Sequence, residues 1–329
     1  MKFLTIKKDH ETKLPSRSGL ERVHKFDKAS IDAVNAALAA QRPLLVRGEP
    51  GVGKTQLAEA VAAELQRAFY SYTVDSRTES RDLLWRFDAV MRLAEAQLYA
   101  TLGKKDVTND LAVRKFVFPG PLWWAFNTES AQDVNNDSTP LNHGDNRTRH
   151  QNGWVVLIDE IDKAETDVPN GLLEALGAGQ FTPFGYERPI SIPEDGIAPL
   201  IIITSNDERV LPDAFIRRCL VLYLALPSDS AALIAYLKER GRAHFRDKTN
   251  DDVLQRAADL LVKDRTFAVE NQLRPFPGQA EYLDLLRAVI ELAPKDVKKQ
   301  EVLLKEVAPY TLKKHPTMLA NVTEREERT

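Results

Sequence analysis

Gly48-Glu49-Pro50-Gly51-Val52-Gly53-Lys54-Thr55 is the stretch whose residue types and spacing speak most directly of chemistry. It fits the pattern G-x-x-x-x-G-K-[ST]. Glycines let a backbone curl until successive N–H groups point inward at anionic oxygens. A helix opening at the end of such a loop adds a partial positive charge of roughly half a unit. Lys54 would reach the β- and γ-phosphates of a bound nucleotide, and the Thr55 hydroxyl would ligate Mg2+. Gln56 belongs to the same binding stretch. A glycine-rich turn with a stray lysine is the bland alternative. LLVR before the motif and TQLAEAVAAEL after it supply the strand-loop-helix context that phosphate binding requires.

A second constellation lies downstream. Residues 154–158 form an apolar run, WVVLI, that ends in Asp159-Glu160. Open α/β sheets place their ligands at the C-terminal ends of strands. Neighbouring strand residues point in different directions, so Asp159 can hold the Mg2+ shell while Glu160 faces an attacking water as general base. Capping of a helix near Ile161 is the alternative, and the upstream phosphate loop decides for chemistry. Asp162 and Lys163 read as surface residues of the next turn. Residues 200–204 form another apolar run, followed by Ser205-Asn206. Asn206 can hydrogen-bond a γ-phosphate or the lytic water, or it can be an ordinary turn asparagine before Asp207. In Leu211-Pro212-Asp213-Ala214-Phe215-Ile216-Arg217-Arg218-Cys219, the two arginines either favour a helix dipole or send one guanidinium to a neighbouring subunit's nucleotide. An arginine finger of that kind is worth roughly 10³–10⁵ in rate.

These groups need a scaffold that brings strand ends together. Five short apolar, β-rich runs stand out at 43–47, 68–74, 154–158, 200–204 and 220–224. Four are nearly continuous, as expected of strands covered on both faces, whereas AFYSYTV is mixed and suits an edge. Helical patterns at 31–40, 55–65 and 167–176 alternate with them, which predicts a parallel sheet with helices on both faces. Beyond Pro227 strand signals stop. Leu254, Ala257, Ala258 and Leu261 make one helical stripe, and Tyr282, Leu285, Leu286, Val289 and Ile290 make another. The expected organisation is an arm over 1–24 and an α/β nucleotide-binding domain over 25–227. A polar, mobile insertion at about 127–151 belongs to that domain. A helical domain over 228–316 and a polar tail over 317–329 follow. Trp123-Trp124, just before the insertion, reads as packing rather than as a substrate platform.

Bulk properties exclude several classes. With 45 Lys+Arg against 48 Asp+Glu, the net charge is -3, and nothing global favours nucleic acid or a membrane surface. No apolar run approaches the roughly 20 residues of a membrane span. The opening MKFLTIKKDHE has no secretory core, so a cytoplasmic location is expected. Cys219 is the sole cysteine, which precludes an internal disulfide, and it reads as a small buried hydrophobe. The six histidines show no metal-ligand spacing.

Taken in order, GEPGVGKT, VVLIDEIDKA, IIITSN and LPDAFIRRC resemble an AAA+ ATPase. FPGPL, LIDEIDKA and GLLEALGAGQFTPFG resemble the MoxR-like branch of that superfamily. The resemblance covers roughly residues 25–290. It implies a P-loop three-layer sandwich whose five parallel strands run in the order 5-1-4-3-2, a small all-α lid, and a homo-oligomeric ring, in the family a hexamer. It also implies ATP with Mg2+ bound between subunits, and a finger donated in trans, with Arg218 the better match and Arg217 the second. Family members act as chaperone-like remodellers, often with von Willebrand factor A domain partners. The lid of the family presents an arginine at a helix start, and residues 275–280, Pro-Phe-Pro-Gly-Gln-Ala, have none. The leading expectation is an ATPase that remodels or activates a protein partner. A nucleic-acid motor or loader on the same fold and a nucleotide-gated scaffold with little hydrolysis are the alternatives.

Overall fold

A continuous apolar run is stable as a strand only where both of its faces are covered, and that demand organises this chain. The computed structural model describes residues 2–17, 20–104, 106–134 and 140–318. The chain opens with β1 (Glu11–Arg17) and β2 (Leu20–Lys25), then α1 (Lys28–Ala40), β3 (Leu44–Arg47), α2 (Lys54–Leu65) and β4 (Ala68–Thr73). Next come β5 (Trp85–Phe87), α3 (Ala89–Thr101), β6 (Val117–Pro119), α4 (Pro121–Phe126), α5 (Thr128–Val134) and α6 (Asn146–Arg149). They are followed by β7 (Trp154–Asp159), α7 (Asp167–Ala178), β8 (Gln180–Phe181), β9 (Ile190–Ser191), β10 (Leu200–Ser205), α8 (Asp213–Arg218) and β11 (Leu220–Tyr223). The last part holds α9 (Ser230–Phe245), α10 (Asp251–Glu270), α11 (Gln279–Leu292) and α12 (Val297–Leu312).

The chain divides into two compact units. The first contains the segment up to Lys8, Asp27–Arg47 and Thr55–Tyr223, and the second contains Asp9–Phe26, Gly48–Lys54 and everything from Leu224 on. In the first unit, β11-β3-β10-β7-β4 form a five-stranded parallel sheet. In order of occurrence these are the fifth, first, fourth, third and second of the apolar runs, the sequence expected from the family resemblance. Both β7 and β10 are buried almost throughout, which is why they read as unbroken hydrophobic runs. The mixed strand β4 lies at an edge. The tryptophans of α4 are core residues: Trp123 and Trp124 are buried, and the Trp123 indole N–H donates to Ser130 Oγ at 2.7 Å.

The stretch expected as an unstructured insertion is different. Among its described residues it forms the short helices α5 and α6 and is pinned to the sheet, while residues 135–139 lie outside the described set. Asn146 is buried, and its side-chain amide does the work of a further strand. Its oxygen accepts from Phe69 N at 2.8 Å, and its nitrogen donates to Phe69 O at 2.8 Å and Pro140 O at 2.9 Å. The open edge of β4 is thereby satisfied at Phe69. Trp154 adds a hydrogen bond from its indole to Thr128 at 2.9 Å.

The second unit is a helical cluster with a hairpin attached. The predicted stripes on α10 and α11 form its core, with Leu237 from α9 and Leu304 from α12. The residues expected as a solvated arm form the antiparallel pair β1–β2, in which Thr12, Leu14, Val23 and His24 are buried. The alternation of Thr12 and Leu14 with Lys13 is a half-buried strand pattern too short to stand out among the charges. Arg240 of α9 donates to Lys25 O at 2.7 Å.

Two histidines are enclosed where the hairpin meets α9. Burial, reinforced by Arg240 and His244, pushes His24 down to about 3; burial, with Arg287 and Arg240, pushes His244 down to about 4. His24 Nε2 and His244 Nδ1 have no hydrogen-bond partner among the described residues. Both rings are therefore neutral when folded, and the unfolded chain binds more protons below the ordinary histidine pKa of 6.5. The stability they confer is complete above that value and is lost as pH falls toward 4 and 3. Urea unfolding should show a loss of about 2 kcal/mol per histidine between pH 7 and pH 5. His24→Leu should remove about half of that slope, and an unaltered slope would clear the pair of responsibility.

Candidate active site

The phosphate loop belongs to the second unit. It leaves β3 after Arg47 and enters α2 at Lys54, as the strand-loop-helix reading requires. Gly48 and Gly51 have φ of 152° and 78°. A Cβ at Gly48 would stand 2.1 Å from Leu224 O, and one at Gly51 would stand 2.8 Å from Ala280 Cβ. The loop path thus needs glycine at both positions. Lys54 is buried, and its amine donates to Gly48 O at 2.7 Å and Glu49 O at 2.9 Å, so the cation sits inside the curl of the loop. Gln56 is half-buried on the first turn of α2.

The acids belong to the first unit. Because the sheet is parallel, its C-terminal strand ends share one edge. Ile203 of β10 pairs with Leu45 and with Ile158, so Asp159 lies level with Thr204 and Val46. The end of β3, where the loop begins, and the end of β7 are two strand spacings apart, about 10 Å. Thr55 Oγ1 donates to Asp159 Oδ2 at 3.0 Å. The other carboxylate oxygen of Asp159 accepts from the Thr204 hydroxyl, and Thr204 Oγ1 accepts from Glu160 N at 2.9 Å. One buried hydroxyl therefore fixes both acids.

Glu160 has left-handed backbone angles, φ 63° and ψ 47°, a conformation that costs energy in a non-glycine residue and turns its side chain away from that of Asp159. Its Oε1 accepts from Asn206 Nδ2 at 3.3 Å, and its Oε2 accepts from Lys163 Nζ at 2.5 Å. The hydrogen bond to Glu160 holds the Lys163 amine above its ordinary pKa. Asn206 is itself positioned by Asp162, whose Oδ2 accepts from Asn206 N at 3.1 Å and Glu208 N at 2.9 Å. Asp162 is not the surface residue expected, whereas Lys163 is partly exposed as expected but carries an ion pair. Asp162 is 2% exposed and ties the short helical turn after β7 to the loop after β10, while Lys163 pairs with the acid. Thr204 and Asp162 gave little sign of this in the sequence, beyond being polar residues at the ends of two apolar strands.

Arg217 and Arg218 are elsewhere. They end α8 just before β11, whose first residue pairs with Leu44 at the N-terminal edge of the sheet. Arg42 donates to the main-chain oxygens of both, to Arg218 O at 3.0 Å, which satisfies the end of α8. Both guanidinium groups are exposed and make no hydrogen bond or ion pair among the described residues. Burial pushes the Cys219 thiol up to about 11, which keeps it an inert core atom.

The donor set suits a triphosphate with Mg2+. A glycine loop with a buried lysine at a helix start meets the requirements of phosphate. Among the described residues no group of three or more His, Cys, Asp or Glu could hold a metal alone. Mg2+ bound with phosphates needs only one or two protein oxygens and keeps several waters, and Thr55 with Asp159 offers that pair.

Residues 43–219 match the AAA domain (dynein-related subfamily). The chain is 23% identical over 224 residues to the mitochondrial Lon protease homolog of Yarrowia lipolytica, covering 64% of this chain and 15% of that protein. It is 25% identical over 201 residues to the mitochondrial Lon protease homolog of Phaeodactylum tricornutum, covering 59% and 18%. The chain thus spans less than a fifth of the length of these relatives. A candidate ATPase of known structure from Cytophaga hutchinsonii aligns with a TM-score of 0.36 and 14% identity, over 86% of this chain and 79% of that one. The family match covers over half of the chain and runs from the strand that feeds the phosphate loop to the residue after the paired arginines, so the chain belongs to the AAA domain family, in its dynein-related subfamily.

Proposed function

We propose that this chain is a Mg-ATP-dependent AAA+ ATPase of the MoxR-like kind that works in a homo-oligomeric ring, of six subunits by family resemblance, and remodels or activates a protein partner. A partner with a von Willebrand factor A domain is the class that the resemblance favours. The observation that carries the reading is the hydrogen bond from Thr55 to Asp159, which brings the start of α2 to the acid end of β7.

In this reading, the loop residues from Gly48 to Gly53 other than Pro50 offer backbone N–H groups to the phosphates and Lys54 neutralises their charge. Thr55 and Asp159 would hold Mg2+, which when bound offsets charge on the phosphate oxygens. Glu160 accepts the proton of the attacking water. Asn206, already 3.3 Å from the Glu160 carboxylate, orients that water. Lys163 pairs with Glu160 and must release it for proton transfer. Arg218, or Arg217 beside it, lies at the opposite edge of the sheet from Asp159 and serves a neighbouring subunit.

Glu160→Gln should retain binding of a fluorescent ATP analogue while phosphate release falls by about 10²–10⁴-fold, the usual worth of a positioned base. Equal turnover in variant and wild type would remove Glu160 from that role. Arg218→Ala should bind nucleotide normally and hydrolyse it about 10³-fold more slowly. Mixing it with Lys54→Ala subunits should restore part of the activity, because each variant supplies what its neighbour lacks. Mixed assemblies as inactive as either parent would count against a finger acting in trans.

A further inference from the structure

The second unit contains an arginine that the sequence pattern did not single out. Arg265, on α10, is only 15% exposed. Its Nη2 donates to both carboxylate oxygens of Glu49, at 2.9 and 2.8 Å. Its Nη1 donates to Pro277 O at 3.0 Å, and its guanidinium lies 5.8 Å from the centre of the Phe276 ring. Glu49 is the second residue of the phosphate loop, and its own carbonyl receives the Lys54 amine. Pro277 belongs to the turn that leads into α11, whose Ala280 lies against Gly51. One guanidinium therefore joins the phosphate loop, the turn and the aromatic ring beneath it.

We infer that Arg265 is a positioning residue for nucleotide binding, acting through Glu49. The inference rests on the nucleotide-binding reading above. Glu49 places a negative charge in a loop built to receive a polyanion. Arg265 cancels that charge and fixes the carboxylate, and with it the curl of the loop around Lys54. Helical packing alone does not explain the arrangement. A side chain needed only for packing would have no use for a two-point contact with a glutamate that is itself 42% exposed.

The test is a double-mutant cycle read by equilibrium binding of a fluorescent ATP analogue with Mg2+, with circular dichroism as the check on folding. Arg265→Ala should weaken binding about tenfold, because it leaves Glu49 unneutralised beside the phosphates. Glu49→Gln alone should tighten binding about twofold, since it removes a repelling charge. In the double variant, affinity should return to within about threefold of wild type, a rescue that a merely structural arginine would not show. Arg265→Lys keeps the charge without the fork and should lose about threefold; it serves if the alanine variant fails to fold. If wild type binds and Arg265→Ala binds equally well, or if the double variant stays as weak as Arg265→Ala, the inference fails while the nucleotide reading stands. Absence of binding by the folded wild type would overturn both.

Discussion

Parallel pairing is the constraint on which the chemistry of this chain depends. An antiparallel partner would send the end of β7 to the opposite edge from the end of β3. The ladder through β10 instead sets Asp159, Thr204 and Val46 at one level, with the loop stem Arg47 one residue further on. Only then can the Thr55 hydroxyl, which opens α2, meet the Asp159 carboxylate at 3.0 Å. The buried strands give that ladder its rigidity. Val155, Val156, Leu157 and Ile158 of β7 and Ile202 and Ile203 of β10 are almost wholly removed from water, so a slip in register would move a charged residue into the core.

On this frame the strand ends carry a polar network in which each group is oriented by another. Thr204 accepts from Glu160 N and donates to Asp159, so it uses its lone pair and its proton on two acids that must point apart. Asp162 gives its Oδ2 to two backbone amides of the loop after β10 and thereby sets where the Asn206 side chain begins. Its Oδ1 is buried with no partner among the described residues, a cost that the structure accepts at this point. The left-handed backbone of Glu160 is a second local cost. Strain and an unsatisfied oxygen within three residues of each other are what one expects where geometry is chosen for chemistry over stability.

Much of this was legible in the sequence, for a physical reason. Burial on both faces writes a strand as a solid apolar run, a phosphate loop needs glycines at particular places, and helical cores repeat at i, i+3 and i+4. Local rules of that kind leave local traces. The features that escaped are long-range polar contacts. Asn146 reads as one polar residue among many, and only the fold shows that its amide completes the edge of β4 at Phe69, 77 residues away. Asp162 looks like the exposed acid of a charged turn until the loop after β10 folds over it. Arg265 meets Glu49 across 216 residues, and no spacing rule joins a helix arginine to a glycine loop. The hairpin β1–β2 escaped for another reason: its few inward residues are embedded in a charged stretch, and the alternation is too brief to be distinctive.

The position of the paired arginines bears on assembly. Along β11 the chain rises about 10 Å from Leu220 to Tyr223, at roughly 3.3 Å per residue. Arg218 stands before that rise and the acid edge lies after it, so within the first unit Arg218 lies at the edge of the sheet away from Asp159 and Glu160. An arginine kept exposed, with its helix end already satisfied by Arg42, has no local electrostatic task. The head-to-tail ring proposed above would supply one, because a heterologous interface sets one edge of a subunit against a different edge of the next and closes only when every copy does the same. Chemistry at one acid edge would then require a guanidinium from the neighbouring copy. Hydrolysis would depend on assembly, and the isolated chain would bind nucleotide better than it turns it over.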